Sequence, residues 1–139
     1  MGFVSLCIQY LHIMPKKPEF IIDSYGRYTT WNKTSRELPK ILEFTDTIKA
    51  IEGNEFGITL KVSNGKGIIL RFVIEHPPIK DEKDQYLPNF TGEIYVKRNN
   101  FECFVGDGIW PPEDEKKGSW KITIKHEKKI IAQKVFKVV

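Results

Sequence analysis

Apolar and polar side chains trade places at every second position along most of this chain. Between residues 55 and 63, Phe56, Ile58, Leu60 and Val62 alternate with Gly57, Thr59 and Lys61. That period of two belongs to a strand with one packed face and one facing water. Asn64-Gly65 follows, a hairpin signal because both residues tolerate positive φ. The next run, residues 68–75, sets Ile68, Leu70, Phe72 and Ile74 on one face. Ile69 and Val73 flank Arg71 on the other, so this strand is expected to be central and covered on both sides. His76-Pro77-Pro78 ends it, since proline cannot donate to a ladder.

Residues 80–88 are charged and turn-prone, and read as a surface loop. Residues 92–98 and 101–105 form a second expected hairpin about Asn99-Asn100. Residues 106–118 make a long connection through Trp110-Pro111-Pro112 and the acidic cluster Glu113, Asp114 and Glu115. In the final hairpin Trp120, Ile122, Ile124 and His126 alternate with Lys121, Thr123, Lys125 and Glu127. A turn near Lys128-Lys129 leads into residues 130–139. There Phe136 and Val138 fit one face while Ile131 and Val135 fit the other, which predicts a bulge. Upstream, residues 20–31 and 41–50 supply two or three more strands, and residues 32–39 read as either a loop or one helical turn. Seven or eight short strands with regular turn signals predict an all-β, two-sheet antiparallel sandwich or a barrel.

Composition agrees. The 139 residues suit one domain, 40% hydrophobic and 29% charged. Alanine, the best helix former, occurs only at Ala50 and Ala132. The net charge of +4 comes mostly from lysine, with Arg27, Arg36, Arg71 and Arg98 the chain's arginines. Readers of nucleic acid favour arginine's planar fork, so nucleic acid is not the expected partner. The cysteines, Cys7 and Cys103, are too few for a disulfide framework and read as two reduced thiols of a cytoplasmic protein, although a bridge between them stays open.

Residues 3–14 are apolar but too short to span a membrane, so no membrane span is expected. Lys16 and Lys17 follow this stretch rather than precede it, and no small-residue cleavage site appears. Residues 1–17 therefore read as a tail, or as sequence upstream of a true start at Met14, ahead of one domain over residues 18–139. Export by a truncated or atypical signal remains the alternative. Asn32-Lys33-Thr34 and Asn89-Phe90-Thr91 match the glycosylation pattern, which matters only to an exported chain.

In this arrangement the chain resembles a bacterial family of uncharacterised domains, domain-of-unknown-function family 3859. The resemblance rests on Tyr25-Gly26-Arg27-Tyr28, Thr45-Asp46-Thr47-Ile48, Phe56-Gly57-Ile58, His76-Pro77-Pro78, Gly118-Ser119-Trp120 and the closing residues 133–138, in that order. It implies an immunoglobulin-like sandwich. It implies no activity and brings no catalytic residues.

The remaining chemistry is sparse. His12, His76 and His126 lie far apart without metal-ligand spacing, so no metal and no cofactor is expected. His76 reads as a strand-end cap. The acids Asp81, Glu82 and Asp84, and Glu113, Asp114 and Glu115, lack a calcium-loop pattern and are matched by Lys80, Lys83, Lys116 and Lys117. They read as solvated loop faces. No nucleophile elbow or phosphate loop occurs, and an enzyme is not expected.

Loop aromatics are left. Trp110, Trp31, Tyr28 and Tyr86 are the candidate ligand-binding residues, with Tyr25 and Phe90 beside them. Against this stands a plug role for Trp110, at one end of the sandwich beside Phe104. The leading expectation is a non-catalytic protein-interaction domain. The alternative is a carbohydrate or small-ligand module, whose rings should line one concave surface. A basic stripe of Lys121, Lys125, Lys128, Lys129, Lys134 and Lys137 reads as edge protection.

Overall fold

The computed structural model describes residues 16–32 and 34–139. The apolar stretch with Cys7, His12 and Met14 lies outside them. Nine strands follow in order: β1 Glu19–Tyr28, β2 Ile41–Glu43, β3 Thr47–Ile48, β4 Glu55–Ser63, β5 Ile69–Glu75, β6 Phe90–Tyr95, β7 Phe101–Gly108, β8 Gly118–His126 and β9 Lys129–Val138. They build a four-stranded sheet, β2-β1-β4-β7, and a five-stranded sheet, β3-β9-β8-β5-β6. Every neighbouring pair is antiparallel except the short β3 against β9. Of the segment read as a loop or one helical turn, residues 34–39 form a turn and bends rather than a helix, with Ser35 N–H donating to Asn32 O at 3.0 Å.

The alternation does its work where the two sheets meet. Phe56, Ile58, Leu60 and Val62 of β4 face Leu70 and Ile74 of β5 and Trp120, Ile122 and Ile124 of β8, all buried in one cluster. Burying a side chain of this kind contributes about 1.5–3 kcal/mol. The last hairpin forms as expected, and its bulge is present. Ile124 pairs with Ala132 and Lys125 with Ile130, leaving Ile131 as the extra residue.

Two other expected hairpins are not hairpins. β4 belongs to the four-stranded sheet and β5 to the five-stranded one, and the same holds for β7 and β6. The Asn64-Gly65 and Asn99-Asn100 turns are therefore crossings from one layer to the other. They dock on each other: Gly65 N–H donates to Asn99 O at 3.4 Å, and Gly67 N–H to Val96 O at 2.8 Å. Positive φ at Asn64 and Gly67 makes the bend but does not choose the sheet in which the chain continues.

The outer faces also differ from expectation. Ile69 on the outer side of β5 is 47% exposed, so that strand is central yet covered on one side only. Conversely, the outer face of β4 is buried at Thr59 and Gly57. Ser24, Thr59 and Phe104 stand in register across β1, β4 and β7 on this outer side, and Tyr28 lies on it too. Tyr28 and Phe104 meet edge to face at 4.8 Å, and Trp31 meets Phe104 at 5.3 Å. Gly57 and Gly106 leave room for the Phe104 ring. A Cβ on either would lie 2.9 Å and 2.6 Å from it. Residues 29–40 close over this cluster as a strap. Its two ends are tied where Thr29 N–H donates to Lys40 O at 2.9 Å. No helix among the described residues is long and apolar enough to cross a membrane.

Candidate functional site

The end of the sandwich beyond β5 and β7 is built from two loops. Pro77 and Pro78 stop β5, and the chain folds back over residues 77–89 with Ile79 buried beneath it. His76 anchors the base. Its Nδ1 lies 2.7 Å from Pro77 O and its Nε2 2.7 Å from Pro88 O, with the ring tilted over Phe90 at 4.4 Å. It does cap the strand end. Asp81 organises the tip: its Oδ1 accepts the backbone N–H of Lys83 at 2.8 Å and of Gln85 at 2.9 Å. Lys80 pairs with Asp84 at 3.2 Å.

The opposite wall comes from residues 109–116. Trp110 is half-buried and packs edge to face on Trp120 at 6.5 Å, so it closes the core and lines the cleft at once. Pro111 and Pro112 are joined by a cis peptide bond and lead into a 3₁₀ turn, Glu113–Lys116. Between the walls lies an open cleft of about 880 Å³, lined among others by Leu87, Trp110, Glu115 and Lys116.

Lys116 is the unusual residue. Sequence alone placed it with Lys117 as a solvated counter-charge to the acidic cluster. Lys117 does hold Asp114, at 3.0 Å, but Lys116 is fully buried. Its Nζ donates to Pro112 O at 3.1 Å and lies 4.3 Å from the centre of the Trp110 ring. An ammonium has three N–H donors, and a buried one demands partners. Among the described residues no carboxylate pairs with it. Glu115, next to it in the cleft lining, holds Oε2 buried without a hydrogen-bond partner among them. No sequence pattern marks Lys116, because a lysine in an acidic, lysine-rich turn reads as exposed.

The four candidate aromatics separate into two places. Trp110 lines the cleft, and Tyr86, 67% exposed with Lys80 Nζ 5.4 Å from its ring centre, stands on the neighbouring loop. Tyr28 lies under the strap on the four-stranded sheet, and Trp31 belongs to the strap itself. Tyr28 is only 2% exposed, and its hydroxyl is engaged with Ser24 Oγ at 2.6 Å and Thr59 Oγ1 at 3.1 Å. It offers a ligand no free face. Phe104, expected beside Trp110, belongs to that second cluster because its position in β7 turns it outward. Tyr25 sits elsewhere again, at the β1–β9 edge under Lys134 Nζ at 4.0 Å from its ring centre. That contact removes Lys134 from the basic stripe.

Among the described residues no three His, Cys, Asp or Glu side chains gather as metal ligands. Cys103 is a free, buried thiol whose pKa burial pushes up from 9.0 to about 12. That holds it in the unreactive thiol form.

Two comparisons bear on this architecture. The model of a domain of unknown function, DUF3859, matches residues 16–138. The chain belongs to that family. A DUF3859 domain with these two sheets is also similar to a solved structure, an immunoglobulin-like protein from Pseudomonas aeruginosa. The TM-score is 0.69 at 19% identity, covering 90% of this chain and 98% of that one. At that identity the likeness shows the fold alone, an immunoglobulin-like sandwich. No curated protein matches the chain significantly.

Proposed function

We propose that this DUF3859 domain is a non-catalytic recognition module whose end cleft takes a small, uncharged, hydroxyl-rich ligand of the carbohydrate class. One observation carries the reading. Half-buried Trp110 walls the cleft, and fully buried Lys116 backs it from beneath, with Nζ 4.3 Å from the Trp110 ring centre. An indole wall suits the apolar face of a sugar ring, while the polar side chains of the facing loop, among them Asp81, Lys83 and Gln85, can meet its hydroxyls. The charges lining the cleft favour a neutral ligand: Lys80, Lys83 and Lys116 stand against Asp81, Glu82, Asp84 and Glu115.

Titration with neutral methyl glycosides and short neutral oligosaccharides, followed by the indole N–H signals of the three tryptophans, tests it. The expected result is a saturable shift at Trp110, absent in Trp110→Ala and retained in Trp31→Ala. No shift at Trp110 with any of these sugars contradicts the reading. A protein partner is the second reading, favoured by a separate surface at the other end of β7.

A further inference from the structure

At the far end of β7 from Trp110, a second open cleft of about 750 Å³ lies between the strap and the β6–β7 crossing. Arg36, Lys97 and Arg98 converge on it, with Leu38 and Phe101 as apolar walls. All three cations are exposed. No carboxylate pairs with any of them among the described residues. The acid in the lining, Glu102, lies 3.8 Å from Lys61, which also holds Asp23 at 3.4 Å. Two of the four arginines of a lysine-dominated chain therefore stand together, unneutralised, in a concavity. The lysines of the five-stranded sheet differ, since Lys121 pairs across the ladder with Glu75 on an open face.

β7 ends its sheet among the described residues, and because Cys103, Phe104 and Val105 in its middle are buried, its accessible edge beside the cleft is at Phe101 and Glu102. An edge strand leaves backbone N–H and C=O groups open to an added strand. Arginine forks fit carboxylates two bonds at a time.

We infer that this edge and its cationic cleft dock an extended acidic segment of a partner protein. The segment meets the start of β7 at Phe101 and Glu102 and places its carboxylates among Arg36, Lys97 and Arg98. This rests on the domain being a recognition module and is independent of the sugar cleft. A peptide is favoured over nucleic acid because the edge offers main-chain pairing, and because Phe101 is packed half-buried against the core rather than free to stack on bases.

The test is fluorescence anisotropy of a labelled peptide of alternating Glu and Thr residues, with its Gln-Thr counterpart as control. The Glu peptide should bind and the Gln peptide should not. The double variant Arg36→Glu/Arg98→Glu should weaken binding about tenfold, and raised salt should weaken the wild type as well. Lys121→Glu/Lys125→Glu, an equal charge change on the other sheet, should leave binding intact. Any of four results overturns the inference: no binding of the Glu peptide, equal binding of the Gln peptide, equal loss in both double variants, or tighter binding of oligo-dT at the same site. Arg36, Arg98 and Lys125 are exposed and Lys121 is half-buried, and thermal unfolding by circular dichroism verifies that each variant is folded.

Discussion

Tyr28 and Cys103 show how much a single side chain can be committed to structure. The Tyr28 hydroxyl joins Ser24 and Thr59 across two strands on the covered outer face of the four-stranded sheet. Tyr28→Phe keeps the ring packing and strands both partners in a buried place, so urea unfolding should show a loss of about 1–2 kcal/mol. Sugar titration of this variant should be unchanged. Cys103 works through its proton. Above pH 9 the unfolded chain sheds the thiol proton, while the folded chain keeps it to about 12. Stability is therefore unaffected by this group below pH 9 and declines as pH rises from 9 toward 12, by at most about 1.4 kcal/mol per pH unit. Urea midpoints at pH 7 and pH 10 should fall less in Cys103→Ala than in the wild type. Peptide-mapped alkylation at pH 8 should leave Cys103 unmodified until the protein is unfolded.

Among the elements, β4 and β5 carry the clearest pattern in the chain and the clearest reversal. Their inner faces were legible because Phe56, Ile58, Leu60, Leu70 and Ile74 can only be buried together. Their outer faces were not. Gly57 and Thr59 look like a solvent face, yet they are covered because Phe104 of β7 needs the space a glycine leaves and the strap with Trp31 closes over it. Ile69 and Val73 look like a second buried face, yet Ile69 is exposed and Val73 only half-buried, and among the described residues no further sheet layer lies outside the five-stranded sheet. What covers a strand is decided by segments distant in sequence, and alternation alone does not report them. Gly106→Ala tests the close approach directly. Its Cβ would stand 2.1 Å from Phe56 O of β4 and 2.6 Å from the Phe104 ring, and the loss expected in urea unfolding is about 1–3 kcal/mol. A variant as stable as the wild type would mean that the strap and its aromatic cluster yield easily.

On the scale of the whole molecule, the sandwich places two different surfaces at opposite ends of β7. One holds the indole of Trp110, the buried Lys116 and a near balance of charge. The other gathers Arg36, Lys97 and Arg98 beside an open strand edge. The two-layer architecture was readable from the period of two and from the Pro-Pro and Asn-Gly interruptions. The choice of sheet after each interruption was not, since a turn sequence permits both a hairpin and a crossing. Trp110 was visible as a candidate because an aromatic beside two prolines is conspicuous. Lys116 was hidden because its burial follows from the fold of the 3₁₀ turn over Trp120, whose indole N–H donates to Lys116 O at 2.8 Å.

Under the proposed function, Lys116 holds the cleft wall for binding rather than supporting the fold. Replacing a poorly paired buried ion by an apolar side chain of similar volume is often neutral or stabilising, by about 1–4 kcal/mol. Urea unfolding of Lys116→Met is the most direct measurement. The variant should be at least as stable as the wild type and should lack the sugar-induced shift at Trp110. A loss of more than about 2 kcal/mol would contradict that role, because the hydrogen bond to Pro112 and the contact with Trp110 would then be structural supports in their own right.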